Sequence, residues 1–245
     1  MLHFLVEDAG DAQPGSVVTL TGAEAHHAAA VRRVRVGEAV TVGDGRGMWA
    51  TGEVASVAPR EVVVAVTERQ DVPARSPRVV LVQALAKGDR DELAVQAATE
   101  LGVDAVVPWQ AARSVSRWSD AAKAEKGRTR WAGIAREAAK QAHRAWVPEV
   151  EPVATTARIA ARAAASVVLV LEPTADRRLS EAVRRLDGAE EILLVVGPEG
   201  GIDAGELDAF VAAGAQQVRL GEHVLRTSTA GPAALAAVEV GLGRW

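Results

Sequence analysis

The sequence predicts an α/β protein: a small β-rich domain in front of a larger domain with a mostly parallel sheet. Three observations predict it. Residues 1–70 carry short β-branched runs broken by glycine turns. A mixed-charge stretch with two prolines, 71–78, follows. Beyond it, apolar runs alternate with stretches of helical spacing, the pattern of βαβ units.

In the first part, Val17–Leu20, Ala39–Val42 and Glu61–Val66 read as strands, with a tight turn at Asp44-Gly45 and Gly47. Ala23 to Val34 has helical spacing, and Thr21 or Gly22 could cap it. Strands with one helix suggest a small barrel. Residues 71–78 read as a linker. Val79–Leu85 is a continuous apolar run, as in a strand buried on both faces. Asp89 caps a helix to Leu101, and Gly102 ends it. Val103–Val107 is a strand that Pro108 stops. Trp131–Ala142 reads as a helix. Val167–Leu171, Ile192–Val196 and Gln217–Leu220 are strands, with helices over 176–186 and 204–213. A last helix runs from about Ser228 to Leu242, with Pro232 in its first turn. The second domain is thus 79–245.

The 245-residue chain is 49% hydrophobic and 24% charged, a globular composition able to bury a sizeable core. It has no cysteine, which excludes disulfides, Cys-ligated zinc and thiol catalysis. The start turns acidic at Glu7-Asp8 and does not read as a signal peptide. No apolar stretch is long enough for a spanning helix, so a cytoplasmic protein with no membrane partner is expected. Net charge is −4. From Arg113 to Arg144, however, nine Lys/Arg face three Asp/Glu, so this segment carries +6 and the remainder −10. A basic segment on an acidic body suits a polyanion docked at one place, or is simply a solvated helix face.

Two loops carry the chemistry. Gly197-Pro198-Glu199-Gly200-Gly201 directly follows a buried strand, where parallel sheets bind ligands and glycines admit a close backbone approach. It is neither a P-loop nor a dinucleotide fingerprint. Leu220-Gly221-Glu222-His223-Val224-Leu225-Arg226-Thr227-Ser228-Thr229-Ala230 repeats the strand–loop–helix pattern. Its hydroxyls could cap the helix or meet a ligand. Taken alone, a glycine-rich turn or a surface Arg is as well explained by structure.

Together, the two loops resemble the cofactor signature of SPOUT-class methyltransferases, and most closely the bacterial 16S ribosomal RNA uridine N3-methyltransferases. The likeness spans nearly the whole chain. His26-His27 with Val31-Arg32-Arg33 and Gly37, Lys87-Gly88-Asp89-Arg90, Gln96 to Gly102, Arg113-Ser114, Arg136-Glu137-Ala138, Gln141, Arg144 and Pro148 follow the family's order. Three positions depart: Arg32 stands for a Leu, Ala97 for a Lys, and Ser228 for a frequent Glu.

The resemblance implies an α/β-knot domain with a C-terminal trefoil knot, a PUA-like RNA-binding barrel, and a homodimer acting on 16S rRNA in the small ribosomal subunit. It implies S-adenosyl-L-methionine, held by Leu171, Gly197, Glu199, Gly200, Gly201, Leu220, Gly221, Leu225, Arg226, Thr227, Thr229 and Ala230. No metal is implied. Arg226 and Arg144 are the catalytic candidates, Arg144 from across the dimer, because a guanidinium can stabilise charge spreading onto the uracil oxygens. Glu199 and Asp203 are candidate bases. Arg33, Arg35, Arg46, Lys87, Arg90, Arg113 and Arg136 are candidate RNA contacts. His26 and His27 lack partners at metal spacing apart from Glu24. The tryptophans near the basic segment suit packing more often than base stacking. The rival reading is a non-catalytic ribosome assembly factor on the same fold, which would have no use for the two loops.

Overall fold

The computed structural model describes residues 1–186 and 188–245. They form two compact units, and the chain divides unevenly between them. The first unit is Met1–Ala74 with Ala139–Val147; the second is Arg75–Ala138 with Pro148–Trp245.

The first unit contains β1 (Leu2–Leu5), β2 (Val17–Thr21), α1 (Gly22–His26), β3 (Ala39–Gly43), β4 (Met48–Ala58) and β5 (Glu61–Asp71). Its sheet runs β1-β3-β4-β5-β2, antiparallel except for the β1–β3 pair. Alternation decides the inner face: Val62, Val64 and Val66 of β5 pack with Met48, Ala50 and Val54 of β4. Shifts of register at Thr51/Gly52 and Val54/Ser56 bend β4 and curl the sheet. The expected helix over 23–34 is only partly α-helical. It gives way to wider π turns over His27–Arg32, and Arg33 ends it in the left-handed region at φ 54°. Segment 139–147, expected in the second domain, packs here instead. Trp146 donates its indole N–H to Val72 O at 2.8 Å, Gly47 N–H donates to Ala145 O, and Val147 N–H donates to Gly45 O.

The second unit contains β6 (Arg78–Ala84), α2 (Arg90–Glu100), β7 (Ala105–Trp109), α3 (Ala121–Gln141, its last residues in the first unit), β8 (Glu149–Val150), α4 (Thr156–Ala161), β9 (Val167–Leu171), α5 (Leu179–Val183), β10 (Glu191–Val196), α6 (Ala204–Ala212), β11 (Gln216–Val218) and α7 (Thr227–Gly241). The sheet order is β11-β9-β10-β6-β7-β8, with every pairing parallel. Both faces are covered, which is why its strands read as unbroken apolar runs. Val79 and Leu81 face α2, α3, α5 and α7; Val80, Val82 and Ala84 face α4 and α6. Trp109 and Phe210 anchor the second face edge to face, ring centres 5.5 Å apart.

Pro108 lies inside β7 and does not stop it. Its carbonyl accepts from Ala154 N on the β8 side, so its missing N–H falls where β8 has already ended. Pro232 lies beyond the first turn of α7, which begins a residue earlier than expected. Helix α5 is confined to Leu179–Val183, shorter than the expected 176–186.

β11 sits at the sheet edge, yet α7 returns to lie over β6, β10 and α2. Gly231 is the tightest point of that return: a Cβ there would come within 2.8 Å of Leu81 Cδ1. This edge-to-centre return is the path an α/β-knot domain requires.

Candidate active site

A cavity of about 400 Å³ opens beyond the carboxyl ends of β9, β10 and β11. Such ends leave backbone groups unpaired and aimed at a ligand. One wall is the segment after β10, from Val196 to Ile202. Gly201, at φ 72°, lets its N–H turn back to Pro198 O at 2.9 Å. The facing wall runs from Val218 through the loop to Thr227 and Ala230 on α7. Leu171, Glu172 and Pro173 after β9 form the third side, and Arg90 at the start of α2 reaches the rim.

The two main walls are tied together. Thr227 Oγ1 donates to Gly197 O at 2.9 Å and accepts from Gln83 Nε2 at 2.9 Å. The loop after β11 is braced as well, since Arg219 donates to Ala175 O at 2.6 Å.

The carboxylates at the cavity are already engaged. Glu199 accepts from Lys87 N at 3.0 Å and Arg90 Nη1 at 2.9 Å. Burial pushes its pKa up, but hydrogen bonds from its own backbone N–H, from Lys87 N–H and from Arg90, with that arginine's charge, hold it below the usual range. Asp203 lies outside the lining. It caps α6 in a reciprocal capping box with Glu206 and pairs with Arg113 at 3.2 Å. Of the two candidate bases, Asp203 thus stands outside the lining, and Glu199 lines the cavity already bonded to Arg90. Glu172 accepts from Thr174 through both N–H and Oγ1.

Of the expected cofactor residues, Leu171, Gly197, Glu199, Gly201, Leu220, Gly221, Leu225, Arg226, Thr227 and Ala230 line the cavity. Gly200 and Thr229 do not. Gly200 turns toward Arg113, whose Cβ would lie 3.4 Å from an added methyl, and Thr229 is exposed on α7. Arg226 is exposed on the cavity wall and has no side-chain partner among the described residues. Arg144 is half-buried in the first unit, while the cavity belongs to the second.

The expected RNA contacts are scattered. Arg33, Arg35 and Arg46 are exposed on the first unit. In the second, Lys87 is exposed, Arg113 bonds Gly200 O and Asp203, and Arg136 is half-buried on α3. Arg90 is the exception, a member of the cavity rim. Trp109 and Trp131 are buried, and Trp118 packs on Trp131, so these rings serve packing. His27 sits edge-on to Phe4.

Sequence reasoning missed Glu172, Pro173, Arg219, His223 and Val224 as lining residues. Glu172-Pro173 follow β9 directly, so the strand-end rule applied to the two glycine loops would have found them.

A parallel sheet with its cavity at such a return, in a chain that also carries a curled β-domain, is the architecture of an RNA methyltransferase, and the family models agree. Residues 74–239 match the RNA methyltransferase domain family, and residues 20–67 match the RNA methyltransferase PUA domain family. The ribosomal RNA small subunit methyltransferase E of Mycobacterium bovis is 45% identical over 236 residues, covering 94% of this chain and 89% of that protein. Its Bacillus subtilis counterpart is 34% identical over 227 residues, covering 90% and 88%. The crystal structure of a ribosomal RNA small subunit methyltransferase E from Neisseria gonorrhoeae bound to S-adenosylmethionine superposes with a TM-score of 0.87 at 28% identity, covering 98% and 97%. The chain belongs to the ribosomal RNA small subunit methyltransferase E family.

Proposed function

We propose that this chain methylates N3 of a uridine in 16S ribosomal RNA from S-adenosylmethionine. It works as a homodimer on the small ribosomal subunit, and therefore in the cytoplasm. The observation that carries the reading is the cavity between the two glycine loops at the strand ends. Its volume suits a nucleoside-sized ligand. Val196, Ile202, Val218 and Leu225 offer apolar contact to an adenine, exposed backbone at Gly197–Gly201 offers polar contact, and Glu172 and Glu199 offer negative charge toward hydroxyls or a cation. The residues present fit the cofactor.

When bound, the cofactor supplies an activated methyl group on a sulfonium. The chain's part is positioning and charge. The loops hold the methyl group in line with the base, which converts an encounter in solution into a unimolecular step. Arg226, uncommitted on the cavity wall, stabilises negative charge on the uracil oxygens as N3 loses its proton. Glu199 anchors Arg90 and the Lys87 backbone at the rim. The dimer rests on the family resemblance, and Arg144 is the residue proposed to act across it.

Calorimetric titration with S-adenosylmethionine, followed by mapping of 16S rRNA from a deletion strain, tests the reading. The expected outcome is cofactor binding and loss of one N3-methyluridine. A chain that binds RNA but not the cofactor would instead be an assembly factor.

A further inference from the structure

Gln83 lies on β6, beneath the cavity and outside its lining, and is fully buried. Its side chain can be oriented without seeing hydrogens. Gly197 O can only accept, so the Thr227 hydroxyl spends its proton there. Thr227 Oγ1 must then accept, so the group facing it at 2.9 Å is the amide nitrogen of Gln83. The same nitrogen donates to Ala84 O at 3.2 Å. A flipped amide would set oxygen against oxygen at Ala84. This leaves Gln83 Oε1 buried with no donor among the described residues.

A buried acceptor without a donor weakens a fold, and its presence calls for a reason. The reason lies in what the other end of the amide holds. Gly197 begins one cavity wall, and Thr227 ends the other and starts α7. Among the described residues, the side-chain hydrogen bond that joins the walls is that of the Thr227 hydroxyl, and Gln83 fixes that hydroxyl from the central strand.

We infer that Gln83 is a positioning residue for cofactor capture: through Thr227 it sets the spacing of the two walls before the ligand arrives. The inference rests on the proposed cofactor reading and adds a residue that does not touch the ligand. Preorganisation of this kind strengthens binding by removing the cost of ordering the walls.

The test is calorimetric titration with S-adenosylmethionine of the full-length protein and four variants, with melting temperature and turnover measured alongside. Gln83→Leu fills similar space and removes both the donor and the stranded acceptor. It should weaken cofactor affinity about tenfold, the scale of one lost hydrogen bond. Its melting temperature should hold or rise, and kcat at saturating cofactor should stay within about twofold. Thr227→Val should show the same loss, Thr227→Ser should restore tight binding, and Gln83→Leu with Thr227→Val should be no worse than either single change. If the natural protein binds and Gln83→Leu binds as tightly, the inference fails and the cofactor reading stands. Additive losses in the double variant, or an affinity that falls only as the melting temperature falls, would also overturn it. If the natural protein does not bind, the cofactor reading fails and this inference falls with it.

Discussion

Arg226 stands immediately before α7, exposed on the cavity wall and free of carboxylate partners among the described residues. A guanidinium used to brace the fold would be paired, as Arg162 is with Glu151 and Glu191. Arg226→Ala should therefore lower the single-turnover methylation rate by about 10²–10³ with cofactor affinity little changed. Ser228→Ala should stay near the natural rate, since a serine without a partner is a poor base. Normal turnover by Arg226→Ala at saturating cofactor and RNA would reduce the arginine to a binding role. At this scale the two loops were legible because glycine spacing after an apolar strand is a local signal. The place of Arg90 was not. Its partner Glu199 lies 109 residues away, and only the folded sheet brings them together. Glu199 and Asp203 looked free for proton transfer because nothing in the sequence announces that a carboxylate is already bonded.

Elements were readable where burial imposes a pattern. The strands at 79–85, 167–171 and 192–196 came through because both faces are covered, leaving runs with no polar break. β1 and β4 did not, since a strand of four residues carries too little pattern and one bent by bulges breaks the alternation. Pro108 misled because the rule against proline in a strand concerns its missing N–H, and here that N–H has no neighbour to serve. The amino end of an inner strand also carries a pH-sensitive tie. Glu191 at the start of β10 accepts from Arg162 Nη2 and Ser166 Oγ, both at 2.7 Å. Burial raises its pKa, but these bonds and the charges of Arg162 and Arg78 outweigh it and hold the group below its ordinary 4.5. A carboxylate depressed in the folded state stabilises the fold above its unfolded pKa and loses that contribution as pH falls through the folded value. Glu191→Gln should melt lower than the natural protein at neutral pH, and the gap should close in acid. Thermal melts at both ends of the range check this, and an unchanged gap would show that the ion pair contributes no pH-linked stability.

For the whole molecule, the distribution of charge matters more than its sum. The net charge is −4, yet Arg33, Arg35 and Arg46 are each exposed on the β-rich unit. If they grip phosphates, each contact releases counterions. Replacing all three with Ala should then reduce the slope of log affinity against log salt by about 2 to 3, without altering cofactor binding. An unchanged slope, measured by filter binding over a salt series, would place the RNA elsewhere. Two domains were visible from composition, but the membership of 139–147 was not. That segment reads as the tail of a helix, and its destination depends on Trp146 finding Val72 O and on Lys140 finding Glu24 at 2.7 Å.

The uneven division of the chain has a consequence for synthesis. A domain that ends where its sequence ends can close as soon as it leaves the ribosome, and N-terminal domains usually fold first. Here the β-rich unit waits. Its sheet is complete at Asp71, but the strip that covers Gly45, Gly47 and Val72 is translated only after β6, α2, β7 and most of α3. At about 5–20 residues per second, the nascent barrel stands with that flank bare for several seconds. The larger unit is likewise unfinished until α7, the last helix, takes its place over the central strands. Neither half can be released by one cut in the chain: the β-rich unit is finished by a strip inserted in the larger one, and the larger one resumes only after that strip.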